Sequence, residues 1–181
     1  MGVSSRAACA ALWIAAAAAT LLAACGASEK KAPRVGPPGR IAVSFEDTLG
    51  EAFALALVEV SLDGKVVLAC GGKGAQLDAR SPVFLWEGNA GPGEHELRLR
   101  LVYRGKGYGI FSYLSGYTFE VKSSHTVDLK PAGLVAVHAT AYERGDPTTP
   151  IEERPQVRFE ERGDHAIDAG RIECPAEGGT R

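Results

Sequence analysis

The sequence predicts an all-β fold, a single antiparallel β-sandwich of Ig-like size over residues 40–162, and three observations carry that prediction. From Arg40 onward apolar and polar residues alternate with period two, and no helical period follows. That alternation marks strands with one buried and one wet face. Val58, Val60 and Leu62 run into Asp63-Gly64, and Lys65-Val66-Val67-Leu68 follows. Asp-Gly supplies the positive φ angles of a type I′ turn, so this pair of runs is a hairpin. Gly, Pro and Asn then punctuate the remaining apolar runs at the spacing a sandwich requires.

The first strand falls near 41–46. Residues 47–55 break its parity and read as a short helix or a bulge. After the hairpin a strand follows at 82–87, and the clearest one lies within 94–104. There Leu97, Leu99, Leu101 and Tyr103 alternate with Glu96, Arg98 and Arg100. Further strands are expected at 117–122, 125–130, 134–142 and 156–161. Beyond Tyr142 the chain turns acidic and proline-rich, and residues 163–181 read as an irregular tail.

The amino-terminal segment is of another kind. Arg6 is the only charge before Glu29, and between them runs an almost unbroken apolar stretch, the layout of a secretory signal. It ends in Leu22-Ala23-Ala24-Cys25, which resembles the lipobox of bacterial lipoproteins at all four positions. The resemblance implies that residues 1–24 are a cleaved signal peptide and that Cys25 receives lipid and becomes the new amino terminus. Several acyl chains together would anchor it stably to a membrane. An uncleaved membrane helix is the alternative, for which the apolar stretch is just long enough. Residues 25–39 then form a lipidated Cys and a Gly/Pro-rich flexible linker. The expected place is the bacterial cell envelope. Gly26, where an Asp would signal inner-membrane retention in the enteric pattern, leans toward the outer membrane, facing periplasm or surface.

Two internal blocks resemble known groups. Val58-Glu59-Val60-Ser61-Leu62-Asp63-Gly64, together with Pro92-Gly93-Glu94-His95-Glu96-Leu97, resembles the small bacterial surface domains called PEGA domains. The likeness spans roughly residues 56–104 and implies a β-sandwich module. Gly109-Ile110-Phe111-Ser112-Tyr113-Leu114-Ser115-Gly116-Tyr117 is similar to a block in small secreted bacterial proteins without known function.

Composition narrows the function classes. A formal net charge of −2 gives no basic excess for a dedicated nucleic-acid binder, and 45% hydrophobic residues exclude intrinsic disorder. The chain has no Gly-x-Ser-x-Gly elbow, and no Ser or Cys lies in a motif that pairs it with His. Cys70-Gly71-Gly72-Lys73-Gly74 lacks the spacing of a phosphate loop and reads as a turn between strands. His95, His125, His138 and His165 are scattered without metal-ligand spacing, and the His-x-x-x-Asp-Gly motif of dihydrolipoamide acyltransferases follows none of them. His95 reads as a solvated strand opening, His138 as a satisfied sheet residue. Adjacent Glu152-Glu153 and Glu160-Glu161 would point to opposite faces of an extended chain. No catalytic residue, metal or cofactor is assigned.

With Cys9 leaving in the signal and Cys25 taken by lipid, Cys70 and Cys174 remain. An even remainder in an oxidising compartment predicts a disulfide that pins the tail; two free thiols, one buried and one on a loose end, are the alternative. Six aromatics, Tyr103, Tyr108, Phe111, Tyr113, Tyr117 and Phe119, crowd into 103–119 among four glycines. Tyr108, Phe111, Tyr113 and Tyr117, beside a stripe of Arg98, Arg100, Arg104 and Lys106, are the candidate ligand-binding residues for an anionic envelope polysaccharide or another envelope protein. The alternative is a hairpin whose aromatics fill the core while its arginines face water. The functional expectation is a lipid-anchored, non-enzymatic binding or structural module, with an envelope hydrolase or acyl-group enzyme as the competing class.

Overall fold

Among the residues that the computed structural model describes (35–107, 112, 115–146, 148–162 and 169–175), the alternating pattern folds into nine strands. They are β1 Gly39–Asp47, β2 Phe53–Leu62, β3 Lys65–Gly71, β4 Val83–Ala90, β5 Gly93–Gly105, β6 Thr118–Leu129, β7 Leu134–Glu143, β8 Pro155–Arg162 and β9 Gly170–Arg171. Two sheets pack face to face, in the orders β8-β7-β1-β4-β9 and β3-β2-β5-β6. The fold is a β-sandwich. Its core comes from the inward half of each alternation: Ile41, Val43 and Phe45 on β1 meet Leu97, Leu99 and Leu101 on β5, each at most 1% exposed. Each such side chain contributes about 1.5–3 kcal/mol by leaving water.

Asp63 and Gly64 adopt φ of 50° and 81°, the paired positive angles expected of the β2–β3 turn. The His95 ring ties this turn to the next one. Its Nδ1 lies 2.7 Å from Asp63 Oδ2 and its Nε2 lies 2.6 Å from the Gly91 carbonyl oxygen. Carboxylate and carbonyl only accept, so both ring nitrogens must carry hydrogen and the imidazole is cationic here. His95 is a staple between turns, not a solvated strand opening.

Several expectations need correction. The four-stranded sheet is antiparallel throughout, but in the five-stranded sheet β1 runs parallel to β7 and β4 parallel to β9. Alternation reports which face a residue takes and is silent on the direction of its neighbour. Residues 117–122 and 125–130 belong to one strand, because Ser123 and Ser124 pair in register with Leu99 and Arg98 of β5. Residues 48–52 form a turn: Asp47 Oδ1 accepts the Leu49 N–H at 3.1 Å, and Phe53 N–H donates to Gly50 O. A bulge follows between Leu55 and Leu57. The tail also returns to the body, for β9 pairs with β4 and Ile172 is buried in the core.

Both open sides of the sandwich are closed. On one, His125 of β6 meets Glu161 of β8 at 3.0 Å and stacks on Phe159. Neighbouring Glu160 turns the other way, toward Arg158 and Arg162. On the other side Cys70 and Cys174 form a disulfide with Cα atoms 5.1 Å apart.

The two ends differ. Chain entry at residues 35–38, the tight β2–β3 and β4–β5 turns and the 130–133 turn share one end, where Ala132 N–H donates to Pro37 O. The 48–52 and 72–82 connections lie at the other, where the chain also leaves β5 at Gly105 and β7 at Glu143.

Candidate functional site

The predicted basic stripe is charge-matched in place. Arg98 pairs with Glu96 at 2.9 Å; Arg100 reaches Glu120 at 2.5 Å and Glu59 at 3.5 Å; Lys122 also meets Glu120. The hydrogen bond from Arg100 holds the Glu120 carboxyl below its ordinary pKa, and Lys122 adds to this. All of these groups but Glu120 line an open groove of about 420 Å³ on the outer face of the four-stranded sheet, flanked by Ser61 and Ser124. Arg104 is spent on structure: its Nη2 donates to Ala75 O at 2.6 Å and Gly72 O at 3.3 Å, fixing the turn after β3.

The aromatic cluster divides. Tyr103 is fully buried and Phe119 nearly so, whereas Tyr117 is 59% exposed. Tyr103, Phe53, Phe119 and Tyr117 form a ladder with successive ring centroids 6.2, 5.2 and 6.5 Å apart. It climbs from the core to the surface at the long-loop end. Tyr108, Phe111 and Tyr113 lie outside the described residues, as do Cys25 and the whole of the lipobox.

Beside this ladder a polar cavity of about 320 Å³ opens, a feature absent from the sequence reading. Its apolar walls are Phe53, Leu55 and Leu77, all buried. Gln76, Asp78, Arg80 and Lys106 stand around the rim, and Asp47, 4% exposed, lies at the base. Two backbone bonds lay the 76–80 segment across the sandwich end, Leu77 N–H to Leu55 O and Asp47 N–H to Ala79 O. Arg80 anchors the far side by donating Nη1 to Leu49 O. Burial pushes the Asp47 carboxyl above its usual range, against the lowering effects of the Leu49 N–H and the Arg80 charge. The Tyr103 hydroxyl is close enough to Asp47 to feel its charge, yet it is fully buried and makes no hydrogen bond of normal geometry. Burial, then the Asp47 charge, raises the Tyr103 pKa strongly. Only alternation was legible in the sequence here, and these connections have none.

A hydroxyl, an imidazole and a carboxylate also meet on the outer face of the five-stranded sheet. Ser44 Oγ is 2.9 Å from His138 Nδ1, and His138 Nε2 is 3.7 Å from Glu46 Oε2. The carboxylate favours the proton on Nε2, leaving Nδ1 to accept from Ser44. Burial, with the Arg162 charge, lowers the His138 pKa and keeps the ring neutral. Ser44 and His138 are 2% and 1% exposed, and Ser44 sits mid-strand between β4 and β7. β1 slips register against β4 between Val43 and Ser44 but stays in register with β7. The grouping satisfies buried polar atoms, as the sequence reading of His138 anticipated.

No family model, no curated protein and no solved structure matches this chain.

Proposed function

We propose that this protein is a lipid-anchored, non-enzymatic binding module of the bacterial envelope, held at Cys25 and tethered through the Gly/Pro-rich run before β1. The observation that supports this reading is the polarity of the sandwich. A tether enters at the short-turn end, while the polar cavity, the exposed Tyr117 and the 48–52 and 72–82 connections gather at the opposite end. With β1 nine residues long, that end stands about 30 Å from the tether along the strands. An anchor at Cys25 thus presents the loops and cavity away from the membrane. Gly26 after the lipobox favours the outer membrane, facing periplasm or surface, and the PEGA-type resemblance fits a presented β-module. The ligand class is an envelope polysaccharide or another envelope protein, recognised without nucleic acid or cofactor.

Soluble residues 26–181, which keep all the described strands and the core, provide the test. Mixed with purified peptidoglycan, lipopolysaccharide and membrane-protein extract, they should be retained by one fraction. Tyr117→Ala should lose that retention while melting within a degree or two of the parent, since Tyr117 is largely exposed. Retention by none of the fractions defeats the reading.

A further inference from the structure

The cavity at the long-loop end has hydrogen-bonding capacity that the fold leaves open. Asp78 spends one oxygen on the Arg80 N–H. The Arg80 guanidinium has five donors, of which the Leu49 carbonyl takes one. Lys106 donates its backbone N–H to Ala52 O and makes no side-chain ion pair among the described residues. Arg80 and Lys106 thus face the Asp78 carboxylate on the rim and the Asp47 carboxylate at the base, neither cation makes a direct ion pair among the described residues, and the Gln76 amide stands beside them. Beneath it, the buried Tyr103 hydroxyl lies beside Asp47.

The setting limits what fits. The ladder that begins at Phe53, a wall of the cavity, ends at Tyr117. Tyr117 O accepts from Gly105 N–H, which places it one residue from Lys106 across the β5–β6 connection. An exposed aromatic face, planar amide, carboxylate and guanidinium groups, and an apolar wall suit a ring with one apolar face and several hydroxyls. Two cations without a direct ion pair among the described residues add a carboxylate, which guanidinium and ammonium groups bind through charge-assisted hydrogen bonds. A volume of about 320 Å³ lies at the small end of ligand pockets, enough for one such unit and not a long stretch of polymer.

Resting on the binding-module reading, we infer that this cavity is a subsite for a single acidic sugar of uronic-acid type. Lys106 and Arg80 receive the carboxylate, and Asp78 and Gln76 the ring hydroxyls. The outer-face groove is the poorer candidate, because its cations are already matched by Glu59, Glu96 and Glu120.

Digalacturonate is the probe, titrated into soluble residues 26–181 by calorimetry, with cellobiose and inorganic phosphate as comparators. Digalacturonate should bind at least tenfold tighter than either and weaken as salt rises. Lys106→Gln and Asp78→Asn should each weaken it at least fivefold with unchanged melting temperature, as expected for exposed rim residues. Equal binding of cellobiose, equal binding of phosphate, no saturable binding, or variants that bind like the parent would each overturn the inference. Envelope-fraction retention separates the two readings. If Tyr117→Ala abolishes retention while digalacturonate fails to bind, the module stands without this subsite; if no fraction is retained, both fall.

Discussion

Cutting the Cys70–Cys174 bridge tests how the sandwich is closed, and Cys174→Ser is the cleaner cut. Cys70 is 1% exposed in the core, so a serine there would add a buried hydroxyl to the effect being measured. The bridge joins positions 104 residues apart, for which loop-closure entropy gives about 4.7 kcal/mol at 25 °C. The released segment sets a lower figure. Burial of Ile172 contributes about 1.5–3 kcal/mol, while ordering 170–174 costs about 1–2 kcal/mol per residue. Two register pairs with β4 do not close that gap, so the unbridged segment detaches and recovers its entropy. The net loss should be about 2–5 kcal/mol, or a fall in melting temperature of roughly 8–20 °C. Guanidinium unfolding of soluble residues 26–181 reads this directly, and parent protein with reductant should match Cys174→Ser. Because 26–181 contains only Cys70 and Cys174, thiol titration is unambiguous. A variant within about 1 kcal/mol of the parent, or two titratable thiols in native non-reduced protein, would refute the reasoning.

Three further outcomes are expected. Burial pulls the His95 pKa down, but the Asp63 carboxylate and the Gly91 carbonyl outweigh it and hold it above 6.5. The staple then contributes fully below the unfolded value of about 6.5 and is lost as pH rises through the raised folded value; urea midpoints should decline across that window in the parent but not in His95→Gln. Leu101→Ala, at a fully buried core position, should cost about 2–5 kcal/mol in the same unfolding assay. In the producing bacterium, mass spectrometry should find a mature chain that begins at acylated Cys25, and Cys25→Ala should remain unprocessed or soluble; an intact Met1 terminus in the membrane fraction would contradict this.

What the sequence revealed and what it hid divide along a physical line. Strand faces were legible because burial acts residue by residue: Leu97, Leu99 and Leu101 point inward wherever their neighbours lie. The Asp63-Gly64 turn was legible because its backbone angles are local. The pairing of Cys70 with Cys174 was predictable by elimination, though nothing local brings β3 near residue 174. Parallel contact of β1 with β7 was hidden, because a strand's direction depends on the path between sheets. The basic stripe was misjudged for a related reason. Arg98, Arg100 and Arg104 stand close in sequence, but Glu59, Glu120 and the Gly72 and Ala75 carbonyls that engage them arrive from other strands and turns. The cavity was least visible of all. Asp47 ends β1 while Asp78, Arg80 and Lys106 come from two separate connections, and only the closed sandwich brings them together.

The bridge and the cavity are joined through one segment. Cys70 is the penultimate residue of β3, which ends at Gly71, whose φ of 98° and close approach to the Ala56 carbonyl leave no room for a Cβ. Gly72 N–H bonds to Ala56 O, Arg104 grips the carbonyls of Gly72 and Ala75, and the strap from Gln76 to Arg80 crosses the sandwich end above Asp47. Each contact fixes a loop that would otherwise move, since connections lacking ladder hydrogen bonds open most readily. The disulfide holds the start of this strap, and Arg80, reaching Leu49 O, holds its end. Recognition groups usually sit on loops that a rigid scaffold positions. Here the clamps that close the side of the sandwich also set the geometry of Gln76, Asp78 and Arg80, so stability and the proposed binding site depend on the same covalent link.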